Sequence, residues 1–117
     1  MKTDNLILDK TFQFALDAIE LYKRMIAKNE FVLSRQFLKS ATSIGANVNE
    51  AIAAQSRKDF VSKMSIASKE ARETRYWLQL LDKSQVVVSD CSALLKEIDE
   101  IIRILTAIIK TSNTVNS

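Results

Sequence analysis

The chain contains no histidine and no proline, and it has one glycine, Gly45, and one cysteine, Cys91. Without histidine there is no side chain that ordinarily titrates near neutrality to serve as a general base. There is also no Ser-His or Cys-His nucleophile pair, and no Glu-x-x-His pattern of the kind that holds di-iron in a bundle. Without proline and with one glycine, tight β-turn chemistry is scarce, while Ala, Leu, Ile, Lys, Glu and Arg dominate. The chain therefore reads as all-α. A lone cysteine cannot close an intramolecular disulfide. On an apolar helical face Cys91 is expected to be a buried, inert thiol, which fits a cytoplasmic setting. Long apolar runs are missing too. Lys2, Asp4, Asp9 and Lys10 interrupt the beginning, and Arg103 and Thr106 break the run from Ile101 to Ile109, so neither a signal peptide nor a membrane span is expected.

What is present is helical periodicity. A chain of 117 residues, 47% of them hydrophobic, suits one core and a single domain over residues 1–117. Four segments carry the 3.6-residue rhythm. The first runs from about Leu8 to Lys28, with Phe12, Ala15, Leu16, Ile19, Tyr22 and Ile26 assigned to its core face. The second runs from about Leu33 to Gln55. Ser56 sits where a cap belongs and Asp59 follows three residues later, so the third helix starts near Arg57 and reaches about Leu81. Its core stripe is Phe60, Met64, Ala67, Ala71, Thr74, Leu78 and Leu81. The β-branched run Val86-Val87-Val88 breaks the pattern, Asp90 is a candidate cap, and a fourth helix extends to about Thr111. Residues 112–117 read as a frayed tail. Short links between helices of similar length imply antiparallel neighbours, hence an antiparallel up-and-down four-helix bundle.

The second helix is unusual in setting two stripes side by side. Gln36, Ser40, Ser43, Asn47, Glu50 and Ala54 recur at spacings of four and three, next to Phe37, Ala41, Ile44, Val48 and Ala51. The stretch Ser43-Ile44-Gly45-Ala46-Asn47-Val48-Asn49-Glu50-Ala51, continued by Ala54 to Phe60, by Met64 to Ala67, and by Glu70, Glu73, Tyr76, Trp77 and Leu78, resembles the 23S rRNA intervening-sequence protein family. The resemblance covers nearly the whole chain, and its specific part runs from about Leu33 to Leu81. It implies a short up-and-down four-helix bundle, assembly into a homopentameric ring, and a role with nucleic acid. Many members carry a glycine after the motif glutamate and a Gly-Ser pair before the second one. Here those positions read Ala51 and Lys69-Glu70, which suggests a subgroup.

Beyond the core stripes, two helices carry surplus apolar surface. In the first, Phe14, Ala18, Leu21 and Met25 form a second stripe. In the fourth, Ile104 lies beyond an already wide apolar face. Phe14, Leu21, Met25 and Ile104 are therefore the expected contact surface of a homo-oligomer.

Chemistry-bearing clusters are few. Glu70 and Glu73 are one turn apart and within possible reach of Glu50. Three such carboxylates can share a proton or hold a hard cation, or they can simply accept hydrogen bonds from Asn47, Arg75 or a neighbouring subunit. The structural reading of Asn47, Glu50, Glu70 and Glu73 is preferred, and the chain is read as a non-enzyme with no cofactor.

On the third helix Lys58, Ser62, Ser65, Lys69, Arg72 and Tyr76 share a face free of acid. Lysine and arginine there can track a phosphate backbone and Tyr76 can stack on an unpaired base, with Arg57 and Arg75 as weaker support. The partner so read is nucleic acid, most readily RNA. Two other readings stay open: a merely solvated cationic face, and a scaffold that docks an acidic protein. Trp77, in a stripe with Ile66, Glu70, Glu73 and Leu80, fits either the core or a subunit boundary.

Overall fold

The structure, a computed structural model, describes residues 2–115, with side chains from 4 to 114. Four helices follow one another: α1 (Lys2–Ala27), α2 (Leu33–Ile52), α3 (Arg57–Ser84) and α4 (Ser92–Val115). They pack in a cycle, α1 on α2, α2 on α3, α3 on α4 and α4 back on α1. Cross-helix pairs give the directions. Glu50 meets Lys63 near the α2–α3 link, while Ser40 meets Thr74 farther along both helices, so α2 and α3 run antiparallel. The body measures 49 × 21 × 20 Å, the proportions of an up-and-down bundle about two helices wide.

Local chemistry sets the helix ends. At the start of α3 the Ser56 Oγ accepts the Asp59 N–H at 3.0 Å, as the sequence implied. Its far end runs to Ser84 and closes on Gln85 in the left-handed conformation, φ 51°. The start of α2 works differently. Glu30, on the link before the helix, accepts the N–H groups of Val32, Leu33 and Ser34 at 3.2, 2.9 and 2.6 Å. Burial opposes ionisation of this carboxyl, but the backbone donors outweigh it and hold its pKa below the usual carboxylate value. Before α4, Asp90 Oδ1 accepts the Ser92 N–H at 2.9 Å. The fourth helix continues to Val115, so residues 112–115 are helical and not a frayed tail; 116 and 117 lie outside the described residues.

The core of α2, α3 and α4 follows the expected stripes. Phe37, Ile44, Val48, Met64, Ala67, Ala71, Leu78, Ile98 and Leu105 are all sealed from solvent. Cys91 is buried as well, and burial pushes its thiol pKa up, which suppresses the reactive thiolate.

The first helix is turned the other way. Ile7, Phe14, Ala18, Leu21 and Met25 fill the core, and Phe12, Leu16 and Ile19 are exposed. Phe14, Leu21 and Met25, expected at an oligomer interface, are thus intramolecular core residues, and Ile19, expected in the core, is not. Ile104 is half-buried against the core edge. The physical reason lies at Thr11. It is buried facing Gly45, where an added Cβ would sit 3.4 Å from the Thr11 Oγ1, and its hydroxyl donates to the Ile7 carbonyl at 2.8 Å. A threonine satisfied by its own helix can line the core, and here Thr11 faces Gly45 of α2.

Candidate functional site

Three surfaces bear on function: the outward face of α3, the polar seam between α2 and α3, and the exposed apolar side of α1. On α3, the residues buried in the core recur at three and four, which leaves Lys58, Lys69, Arg72 and Tyr76 on the opposite side of the same helix. All four are exposed, Tyr76 by 54%. Among the described residues none of these three cations makes an ion pair, although Lys69 is near enough to Glu70 to act on its carboxyl electrostatically. Arg57 is likewise exposed. Arg75 is not part of this face. Its guanidinium turns toward α4 and binds Asp99 at 3.2 Å, so it braces the bundle and is only half-exposed.

A second cationic row went unnoticed in the sequence. Lys96, Arg103 and Lys110 on α4 are spaced by seven, share one face and are all exposed. The signal was available, since a heptad repeat of cations is as readable as one of leucines. The wide apolar stripe of the same helix drew the reading away from it. Acids on α4 are partly spoken for: Asp99 by Arg75, and Glu100 by Lys10 of α1 at 2.7 Å. That hydrogen bond lowers the Glu100 pKa and raises that of Lys10, with Lys10's partial burial opposing its own shift.

The polar seam does not assemble as a carboxylate triad. Glu50 is exposed and pairs with Lys63 at 3.6 Å, away from the other two. Asn47 turns its amide back to donate to the Ser43 carbonyl at 2.8 Å. Glu70 is half-buried, and burial raises its pKa; Glu73 one turn on adds to the shift, and Lys39 and Lys69 offset part of it. Among the described residues no group of three or more His, Cys, Asp or Glu side chains comes close enough to hold a metal ion. Beneath the seam, the buried Thr74 and Ser40 hydroxyls lie 2.9 Å apart and link the two helices. Trp77 packs partly on the core, edge-on to Tyr76 with ring centroids 5.3 Å apart, and its buried indole N–H has no partner among the described residues.

On α1, Phe12 is 65% exposed, Leu16 43% and Ile19 36%. With half-buried Leu8, Ala15, Tyr22 and Ile26 they make one apolar stripe at helical spacing. Isolated exposed leucines are ordinary, whereas a continuous stripe two turns or more long is a candidate contact surface. No helix among the described residues is long and apolar enough to cross a membrane.

Comparisons with known proteins agree with this architecture. The model of the 23S rRNA-intervening sequence protein family matches residues 3–107. A crystal structure of a protein with unknown function from the S23 ribosomal protein family of Bacteroides thetaiotaomicron superposes with a TM-score of 0.88 at 44% identity, over 92% of this chain and 98% of that one. No curated protein matches. The chain belongs to the 23S rRNA-intervening sequence protein family.

Proposed function

We propose that this chain is a homo-oligomeric RNA-binding protein, not an enzyme, in which each subunit offers the outward face of α3 to the nucleic acid. The observation that carries the reading is the row Lys58, Lys69 and Arg72 with Tyr76, exposed and without an ion pair among the described residues. Cations there displace the counterions of a phosphate backbone, and an exposed phenol ring offers a stacking platform to unpaired bases. The α1 stripe of Phe12, Leu16 and Ile19 supplies the self-association, and the resemblance supplies a pentameric ring as its form. A modest charge repeated around such a ring gains by multivalency. Asn47, Glu50, Glu70 and Glu73 serve packing and subunit contacts in this reading, which needs no cofactor and fits a cytoplasmic setting.

Titration of a single-stranded and a duplex RNA at two salt concentrations tests the proposal. Affinity falls as salt rises, and Tyr76→Ala weakens the single strand more than the duplex, since only unpaired bases can reach the ring. Absence of RNA binding, together with salt-dependent binding to an acidic protein, would replace this reading with the scaffold.

A further inference from the structure

At the end of the bundle where the α2–α3 link meets the start of α1 and the last turns of α4, the helices leave a cleft of about 610 Å³. Its floor is apolar, built from Leu6, Phe60, Ile104 and Ile108, and the small side chains of Ala54 and Ala107 leave the space open. Its rim is polar: Gln55, Ser56, Arg57 and Thr111. Ligand sites are concave, mainly apolar and marked by a few placed polar groups, and this volume falls in their usual range of about 300–1,000 Å³.

We infer that the cleft takes one unpaired nucleobase, stacked on Phe60, with the attached phosphate on Arg57. The inference rests on the RNA reading for its ligand class. Two features of the cleft favour a base over an aliphatic acid. Phe60 is an aromatic wall, and a base offers a π-face to it. The rim supplies donors and acceptors together, as the edge of a base requires. The Gln55 amide has both, and Ser56, whose oxygen already accepts the Asp59 N–H, keeps its hydroxyl proton to donate. An aliphatic acid could accept from these donors and from Arg57, but it offers no donor to the Gln55 carbonyl. Charge agrees as well. Arg57 makes no ion pair among the described residues, Lys58 beside it begins the exposed α3 row, and Asp4, the carboxylate of the lining, is already engaged.

The test uses the full chain with labelled methyl groups and adenosine monophosphate, adenosine and decanoate as probes, read by NMR. The nucleotide shifts the Leu6, Ile104 and Ile108 methyl signals at millimolar concentration. Phe60→Leu keeps an apolar side chain but removes the ring, and weakens the nucleotide by about fivefold or more. Arg57→Gln weakens the nucleotide by about tenfold and leaves adenosine unchanged. Ala107→Phe, an exposed position that fills the space without touching the core, abolishes both. Silent methyls, an unchanged affinity in Phe60→Leu, or shifts by decanoate in place of the nucleotide would overturn the assignment. The outcome is separable from that of the RNA reading. Salt-dependent RNA binding with silent methyls removes only the cleft, and a responding cleft without RNA binding removes only the α3 face.

Discussion

If the α1 stripe carries the proposed self-association, replacing Phe12 with glutamate should dissociate the subunits while leaving the fold of each intact. In the single chain Phe12 is 65% exposed. A phenylalanine has about 150–250 Å² to bury, which leaves about 100–160 Å² of this ring uncovered, worth about 2.5–4 kcal/mol when a neighbouring subunit covers it at ~25 cal/mol per Å². Loss of that term weakens each interface by roughly two to three orders of magnitude, before the further cost of burying a carboxylate. The unfolding free energy of a dissociated subunit should move by no more than about 0.5 kcal/mol, because the side chain touches little of its own core. Phe14→Glu is the contrasting control: that ring is 1% exposed, and a charge there should prevent folding. Light scattering across a concentration series, with circular dichroism on the same samples, reads both quantities. A Phe12→Glu protein with the wild-type mass at every concentration would refute the assignment of this stripe to self-association.

Three further outcomes concern the fold itself. Gly45→Ala should raise the thermal midpoint, since alanine in a helix interior gains up to about 1 kcal/mol over glycine, and the new Cβ would meet Thr11 at 3.4 Å, an ordinary contact; a clear loss of stability in thermal denaturation would mean that α1 and α2 approach more closely than described. Ile98→Ala, at a fully buried position, should cost about 2–5 kcal/mol in denaturant unfolding, and an unchanged midpoint would remove Ile98 from the core. Glu30→Ala should cost about 0.5–2 kcal/mol at neutral pH, the range for loss of a helix cap. Because the folded pKa of Glu30 is depressed, its contribution is present above the ordinary carboxylate range and is lost as pH falls through the folded value, so the gap between wild type and variant should narrow in acid. A gap that widened in acid would contradict that sign.

Much of the fold was legible because three of the helices have one dominant apolar stripe. Phe37 to Ala51, Met64 to Leu81 and Leu94 to Ile108 leave periodicity no alternative, and Ser56 announces its helix by a familiar cap. The first helix has two stripes of nearly equal apolar content. Leu8, Phe12, Ala15, Ile19 and Tyr22 compete with Ile7, Phe14, Ala18, Leu21 and Met25, and the inner one is interrupted by Thr11. Periodicity measures that a stripe exists and not which neighbour covers it. The decision comes from the α2 partner, where Gly45 receives Thr11, a contact thirty-odd residues away that no local window contains. The Glu30 cap was missed for a related reason. The usual pattern places a short polar residue at the cap and glutamate inside the first turn, whereas here the glutamate precedes the helix and reaches forward. At the candidate site, the α3 face was readable because exposure on a regular helix follows from which residues are buried. The engagement of Arg75 with Asp99 and of Glu50 with Lys63 depends on how the helices dock, and sequence spacing along one helix does not contain it.

The most direct measurement of the central claim is the salt dependence of RNA binding for the wild type and for a Lys69→Ala, Arg72→Ala double variant. Both cations are exposed and, among the described residues, without an ion pair, so their removal leaves the bundle folded. If both contact phosphate, the plot of log affinity against log salt should be shallower in the variant by about one to two units per subunit engaged, with affinity reduced across all sequences alike. A variant with unchanged affinity and an unchanged slope would show the α3 face to be only a solvated surface.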